Sequence, residues 1–580
     1  MTASADLAAV GLVTVATIGV GAYGVRVSRT TSDFYVAARS VTPFWNASAI
    51  GGEYLSAASF LGIAGLILAY GADMLWYPVG YTVGYLFLLF LVAAPLRRSG
   101  AYTLPDFAES RLDSRVVRKT ASVLVVVIGW LYLMPQMQGA GLTLHIATGA
   151  PNWVGGALVG VVVLVIVAAG GMRSITFVQA FQYWLKVTAL TLPAIFLVMA
   201  WHAHGAPSPG QTTVPVLAQD ISVQVTSDLT VDVLRPTLLG ARGTVDGRRH
   251  NGPMVLAVGQ HTLATGTELV LRKGSAVPQA VGQSTQHNLD WVRPLASTTS
   301  RDHPLYAIYS LVLATFLGTM GLPHVLVRFY TNPDGRAARR TTLLVLILLS
   351  GFYLLPTIYG ALARVYAPDL LLTGQTDSAV LLLPGRLVGG APGEMLSALV
   401  TAGAFAAFLS TSSGLTVSIA GVIAQDVMPA VRGVLAFRIA TVLAVGAPLV
   451  LSLFATRLPV ADAVGLAFAV AASSFCPLLL LGIWWRGLTA AGATAGLVTG
   501  GGLAVAAVVV TVATNARTGW VGSLLAEPAA WSVPLAFTVM VAVSRATAAS
   551  RPPGVSRALA RMHVPERVLS RPAERAVERA

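Results

Sequence analysis

Near the centre of an apolar stretch at 394–427 the chain carries Ala407-Phe408-Leu409-Ser410-Thr411-Ser412-Ser413-Gly414. Hydroxyls in hydrocarbon need partners, and four in a row exceed what back-bonding to the preceding helical turn usually absorbs. Ala407, Ser410 and Thr411, at i, i+3 and i+4, share one helix face. Two hydroxyl oxygens and a backbone carbonyl there could face carbonyls freed by a helix break near Gly52 and Leu55, which makes about five neutral oxygens. Such a cage suits a weakly held monovalent cation that has to be released again. The competing account is that the hydroxyls pack helix against helix.

A second chemistry lies beside the same break. Glu53 is a carboxylate at mid-membrane, which is expensive and therefore a candidate functional group; it could also sit neutral and hydrogen-bonded, or reach an aqueous vestibule. A half-helix that starts after the break offers free amides and a positive dipole end to a carboxylate. Ser56, Ser59, Phe60, Tyr132, Gln136 and Thr319 are candidates to line the solute cavity, each polar one with an interhelical hydrogen bond as its competing role. No metal-spaced histidine cluster or nucleophile constellation lies within the apolar stretches, where His324 and His145 stand almost alone, so an enzyme is not expected. A nutrient sensor on a transporter-like body is the other alternative, and the short Arg-rich tail after about 546 has no room for a signalling domain.

These groups need a lipid-embedded scaffold. The chain has 580 residues, 55% hydrophobic and 11% charged, with mean hydropathy +0.72, too little polar surface to cover a soluble globule of this size. Its net charge of +14 sits in short loops and the tail rather than on a soluble face, so nucleic acid is not an expected partner. The single cysteine, Cys476, rules out an intrachain disulfide and any Cys-based zinc or iron–sulfur site. Asp6 ahead of the first apolar run argues against a signal peptide, so that run is expected to stay as a helix.

Stretches long enough to cross about 30 Å of hydrocarbon read at 6–27, 44–70, 74–96, 121–148, 152–171, 175–201, 304–330, 341–366, 394–427, 434–456, 460–485, 488–514 and 529–546. This predicts an all-α polytopic protein of about thirteen transmembrane helices. With the N-terminus outside, Arg26, Arg29 and Arg39, the group Arg97 to Lys119, Arg173, Arg336 to Arg340, Arg432, Arg486 and the tail with Arg551 and Arg567 all fall inside, as the positive-inside rule asks. Setting aside the first helix and the last two leaves two sets of five, 44–201 and 304–485. An odd number of spans per set makes the second set inverted relative to the first. The first helix of each set is interrupted at a matching place, by Gly51-Gly52 and by Gly318 to Gly321-Leu322-Pro323, and unwound backbone at that depth is tolerated where it lines a site. Residues 1–43 precede the first set, 486–546 hold the last two helices and 547–580 form a basic tail. Residues 202–303 form an outer insertion whose alternating Ile221-Ser-Val-Gln-Val225 and Leu229-Thr-Val-Asp-Val233 predict a small β-rich module. It holds or borders six of the nine histidines, which read as solvated side chains before they read as metal ligands.

Several motifs resemble successive signatures of the sodium:solute symporter family: Asp33-Phe34-Tyr35 with Ala38-Arg39-Ser40, Ser56-Ala-Ala-Ser-Phe-Leu-Gly62, Gly170-Gly171-Met172, Gly321-Leu-Pro-His-Val-Leu-Val-Arg-Phe329 and Ala407-Phe-Leu-Ser-Thr-Ser-Ser413. They span about 33 to 426. The resemblance implies a leucine-transporter-like fold and one sodium site on Gly52, Leu55, Ala407, Ser410 and Thr411, the same set that the spacing picks out. It implies sodium as coupling ion and no other cofactor, with a proton as the alternative through Glu53. One departure is Gln179, where proline and sugar symporters of the family have an aspartate. The blocks at 56–62 and 321–324 are most similar to the acetate and short-monocarboxylate permeases, which implies a small carboxylate as solute and uptake by alternating access in the cell membrane.

Overall fold

The computed structural model describes residues 2–27, 41–56, 58–282, 284, 287–295, 303–428, 434–454, 460–514 and 519–566. The motifs at Asp33 to Tyr35 and Ala38 to Ser40, together with Ala57, Arg29, Arg432 and Arg567, lie outside the described residues. Among those described, twelve helical segments are long and apolar enough to cross a bilayer. The expected span at 44–70 is not one continuous segment. Its first half, α2 (Pro43–Tyr54), is separate, and its second half, α3 (Ile63–Tyr70), runs through a tight turn at Gly71 (φ 71°) into α4 (Trp76–Leu91). Counted as one interrupted crossing, α2 and α3 restore the thirteenth.

Helix α1 (Thr2–Val27) and α5 (Arg115–Thr148) are followed by α6 (Asn152–Ala203), whose backbone hydrogen bonding runs unbroken for 52 residues. A straight helix of that length would reach about 78 Å. It turns instead. A methyl at Gly21 of α1 would touch both Ile166, at 3.3 Å, and Val178, at 3.8 Å, two residues that a straight helix would hold about 18 Å apart. The turn falls between Ile166 and Val178, a stretch whose sequence holds a glycine pair of the kind that weakens a helix, so α6 works as the two expected spans.

The second interrupted helix comprises α7 (Pro304–Gly321) and α8 (Pro323–Val327), with Leu322 in extended geometry between them (φ −71°, ψ 114°). Proline at 323 withholds the amide that would continue α7 and starts α8, which passes into a short 3-10 turn, Arg328–Thr331. The matching break follows α2 at Leu55 (φ −75°, ψ 78°) and ends in a wide turn at Ala58–Gly62. Helices α9 (Gly335–Phe352), α10 (Leu354–Tyr366), α11 (Gly390–Val422), α12 (Val434–Phe454) and α13 (Val460–Trp484) complete the second set. Then come α14 (Ala490–Thr514) and α15 (Ala529–Ala546).

The insertion folds as an antiparallel seven-stranded sheet in the order β1 (Ile221–Gln224), β6 (Glu268–Leu271), β3 (Thr237–Val245), β5 (Gly259–Leu263), β2 (Leu229–Val233), β7 (Gln279–Ala280), with β4 (Arg248–Leu256) paired to β3. Its inward-facing Val231, Leu239, Leu263, Leu269 and Leu271 make a small core of their own. The segment after the sheet docks it to the helices. Trp291 Nε1 donates to the carbonyls of Ile67 (2.6 Å) and Leu68 (3.1 Å) at the end of α3, and Arg364 of α10 donates to Asn288 Oδ1 (3.0 Å).

Candidate functional site

The two interrupted helices meet α6 and α11 at the centre of the bundle. Gly52 of α2 lies so close to α6 that a Cβ there would stand 2.3 Å from the Gln179 carbonyl, and a Cβ at Gly414 of α11 would stand 2.2 Å from the Glu53 carboxyl. Only glycine permits these approaches. They bring the end of α2 onto the hydroxyl face of α11. Ser410 Oγ is 2.6 Å from the Gly52 carbonyl and 3.0 Å from that of Ala407, and Thr411 Oγ1 donates to the Glu53 carbonyl at 2.7 Å. Gly52, Leu55, Ala407, Ser410 and Thr411 are therefore neighbours in the fold, all buried.

A side chain passed over in the sequence reading sits in their midst. Lys186 of α6, fully buried, directs its ammonium at the Gly52 carbonyl (2.5 Å), the Leu55 carbonyl (2.8 Å) and Ser410 Oγ (3.0 Å). An ammonium has three donors, and here each finds an acceptor. As it stands this oxygen set does not fit a sodium ion. Three of its five members face Lys186, and a second cation about 4 Å away would be repelled by about 4 kcal/mol at an effective dielectric of 20. The signal for Lys186 was present in the sequence, since an ionisable residue inside a span marks a functional site by default.

Glu53 also has a partner that sequence reading missed. Its Oε2 accepts from Arg328 Nε at 2.9 Å, both side chains 1% exposed. Arg328 further donates to Thr176 Oγ1 (2.8 Å) and to Gln179 Oε1, and Gln179 Nε2 donates to the Ser410 carbonyl (2.9 Å). Asn46 Nδ2 donates to the Arg328 carbonyl at 3.0 Å. The residue after one broken helix is thus tied to the end of the other through a buried ion pair, and Gln179, in the place of an acid, bridges the pair to α11.

On the other side of the break the remaining candidates gather around aromatic rings. Ser56 Oγ lies 3.5 Å from Tyr132 Oη, Ser59 Oγ donates to the Tyr54 carbonyl (3.3 Å), Thr319 Oγ1 is 2.8 Å from Tyr54 Oη, and Gln136 Nε2 donates to the Tyr132 carbonyl (3.4 Å). Phe60 is buried with them. Tyr54 packs edge-on to Tyr85 and Tyr81, and Phe468 of α13 lies between Tyr54, Tyr81 and Tyr132. His324 of α8 stands 5.1 Å from the Tyr132 ring. The Tyr85 hydroxyl and both His324 ring nitrogens are buried without a hydrogen-bond partner among the described residues, a cost that native interiors seldom leave unmet.

Residues 34–241 and 252–500 match the model of the sodium:solute symporter family. The chain is 32% identical over 541 residues to a monocarboxylic acid transporter of Corynebacterium glutamicum, covering 88% of this chain and 86% of that one. It is 30% identical over 505 residues to the uncharacterized symporter YwcA of Bacillus subtilis, covering 85% and 83%. Among solved structures it is similar to a sodium-coupled sialic acid symporter in a substrate-bound outward-open state, with TM-score 0.59, 12% identity and coverage of 94% and 98%. It is also similar to Mhp1, a nucleobase-cation-symport-1 family transporter in a closed conformation, with TM-score 0.52, 13% identity and coverage of 92% and 99%. The fold is the leucine-transporter-like inverted repeat.

Proposed function

This chain belongs to the sodium:solute symporter family and is an integral membrane carrier of a small solute, and we propose that the solute is acetate or a similar short monocarboxylate. Family membership supports sodium as the ion whose gradient drives uptake. The observation that carries the choice of solute is the aromatic cluster beside the Leu55–Ser56 break. It is walled by rings rather than by the polar cage a sugar would need, and the Tyr85 hydroxyl and the His324 ring are buried there without partners among the described residues. A carboxylate supplies acceptors for such donors, and a hydrogen bond to a charged group contributes about 1.5–3 kcal/mol. Charge points the same way. Arg328 is paired with Glu53 whereas Lys186 meets only neutral oxygens, so the break carries one cation in excess, which an anionic solute in the neighbouring aromatic cluster offsets.

In this reading Ser56, Ser59, Phe60, Tyr132, Gln136 and Thr319 shape the cluster, whereas Glu53 serves by holding α2 to Arg328. Solute entering between the broken helices pulls Tyr85, Tyr132 and His324 onto one ligand and so favours the closed arrangement over either open one. The chain lies in the cell membrane with its N-terminus outside and its tail inside. The test is uptake of labelled acetate by sealed vesicles that contain the purified chain. Saturable uptake, inhibited by propionate and pyruvate and untouched by proline or galactose, is expected; inhibition by the latter pair alone would assign a different solute.

A further inference from the structure

Lys186 is chosen where this chain otherwise avoids lysine. Of its 38 basic residues only Lys119, Lys186 and Lys273 are lysines. A guanidinium is a broad planar fork, whereas an ammonium is a compact point charge with three donors spread about one atom, the shape that a cage of oxygens around a small cation accepts. The Nζ atom lies 2.5, 2.8 and 3.0 Å from two carbonyls freed by the break after α2 and from the α11 hydroxyl. The other two oxygens of the set are engaged without it, since the Ala407 carbonyl accepts from Ser410 Oγ (3.0 Å) and Thr411 Oγ1 donates to the Glu53 carbonyl (2.7 Å). The charged group that acts on Lys186 is Glu53 on α2, itself paired with Arg328. Asp6 of α1 bonds Thr401, nine residues from Ser410 along α11 and so about 13.5 Å away.

We propose that Lys186 supplies from within the chain the cation that Gly52, Leu55, Ser410 and their neighbours hold, so that sodium does not bind at this cage. A bound sodium ion would tie α2, α6 and α11 together only while present. The lysine ties them permanently, because it is covalently part of α6. Whatever sodium contributes to transport then acts through other oxygens. The inference rests on the symporter reading for its transport arm alone.

The test uses the purified full chain and titrates sodium against choline at constant ionic strength, following thermal unfolding, in wild type, Ser410→Ala, Lys186→Met and the double variant. In wild type the expected result is no sodium-dependent rise in unfolding temperature, or one that Ser410→Ala leaves in place. In Lys186→Met the vacated cage should admit sodium, which raises the unfolding temperature by about 3 °C or more at saturation, and Ser410→Ala should remove that rise. A saturable rise in wild type that Ser410→Ala abolishes overturns the proposal, as does a folded Lys186→Met protein indifferent to sodium. Should Lys186→Met fail to fold, the wild-type pair decides alone. The transport arm measures half-saturating sodium for acetate uptake in wild type and Ser410→Ala; a shift of tenfold or more contradicts the proposal, and an unchanged value sustains it. If acetate is not carried at all, the solute reading fails while the unfolding arm still decides this one.

Discussion

The two sides of the break after α2 differ in where their buried polar groups find partners. On the α6–α11 side, the carbonyls freed by the break are satisfied by groups of the chain itself, with Lys186 meeting Gly52, Leu55 and Ser410 and Thr411 meeting Glu53, while Glu53 Oε1 and Ser412 Oγ are buried without a partner among the described residues. On the α4–α5–α13 side, the Tyr85 hydroxyl and the His324 ring have no partner among the described residues, and Tyr132 reaches Ser56 only at 3.5 Å. A buried polar group left without a partner costs about 1–3 kcal/mol, so the cage that Lys186 fills has little to gain from a further cation, whereas the donors left open among the rings gain from a ligand that accepts. The difference supports the ring side as the proposed solute site, and the first side ties α2, α6 and α11 together through bonds of the chain itself.

The largest expected effect comes from breaking the α6–α11 side. Glu53→Ala leaves Arg328 as a buried unpaired charge, for which a loss of about 3–5 kcal/mol is typical. The amount of folded protein extracted from membranes should fall sharply, and Arg328→Ala should do the same. Normal yield with either variant would mean that water reaches this pair and that the two broken helices are not joined through it.

His324→Phe should do the reverse on the ring side. It keeps the ring volume beside Tyr132 and removes nitrogens that have no protein partner, so folded yield should hold or rise. Acetate KM should rise about tenfold, the equivalent of one hydrogen bond to a charged ligand. An unchanged KM would remove His324 from the proposed solute site.

Thr411→Val is the mildest. It deletes one hydrogen bond to the Glu53 carbonyl, about 1 kcal/mol, visible as a small drop in unfolding temperature with half-saturating sodium for uptake unmoved. A large shift in that value would return Thr411 to the role of sodium ligand that its spacing first implied.

What was legible beforehand follows from local physics. Gly-Gly and Gly-Leu-Pro disrupt a helix wherever they occur, so both interruptions could be read, and so could the shared face of Ala407, Ser410 and Thr411. Period-two alternation likewise placed the strands at 221–224 and 229–233 to within a residue. The partners were not legible. Glu53 finds Arg328 275 residues along the chain, and Lys186 finds Gly52 at a separation of 134. No periodicity encodes such pairings. The aromatic wall was not legible either, because Tyr54, Tyr81, Tyr85 and Phe468 lie on three separate helices and meet only in the fold.

The most direct test of the aromatic cluster as solute site is calorimetric titration of acetate into the purified chain and into Tyr85→Phe. Tyr85 Oη has no partner to lose, so the variant should fold at least as well as wild type. Saturable binding in wild type, weakened about tenfold in Tyr85→Phe, is the predicted result. Equal acetate affinity in the two proteins would contradict it.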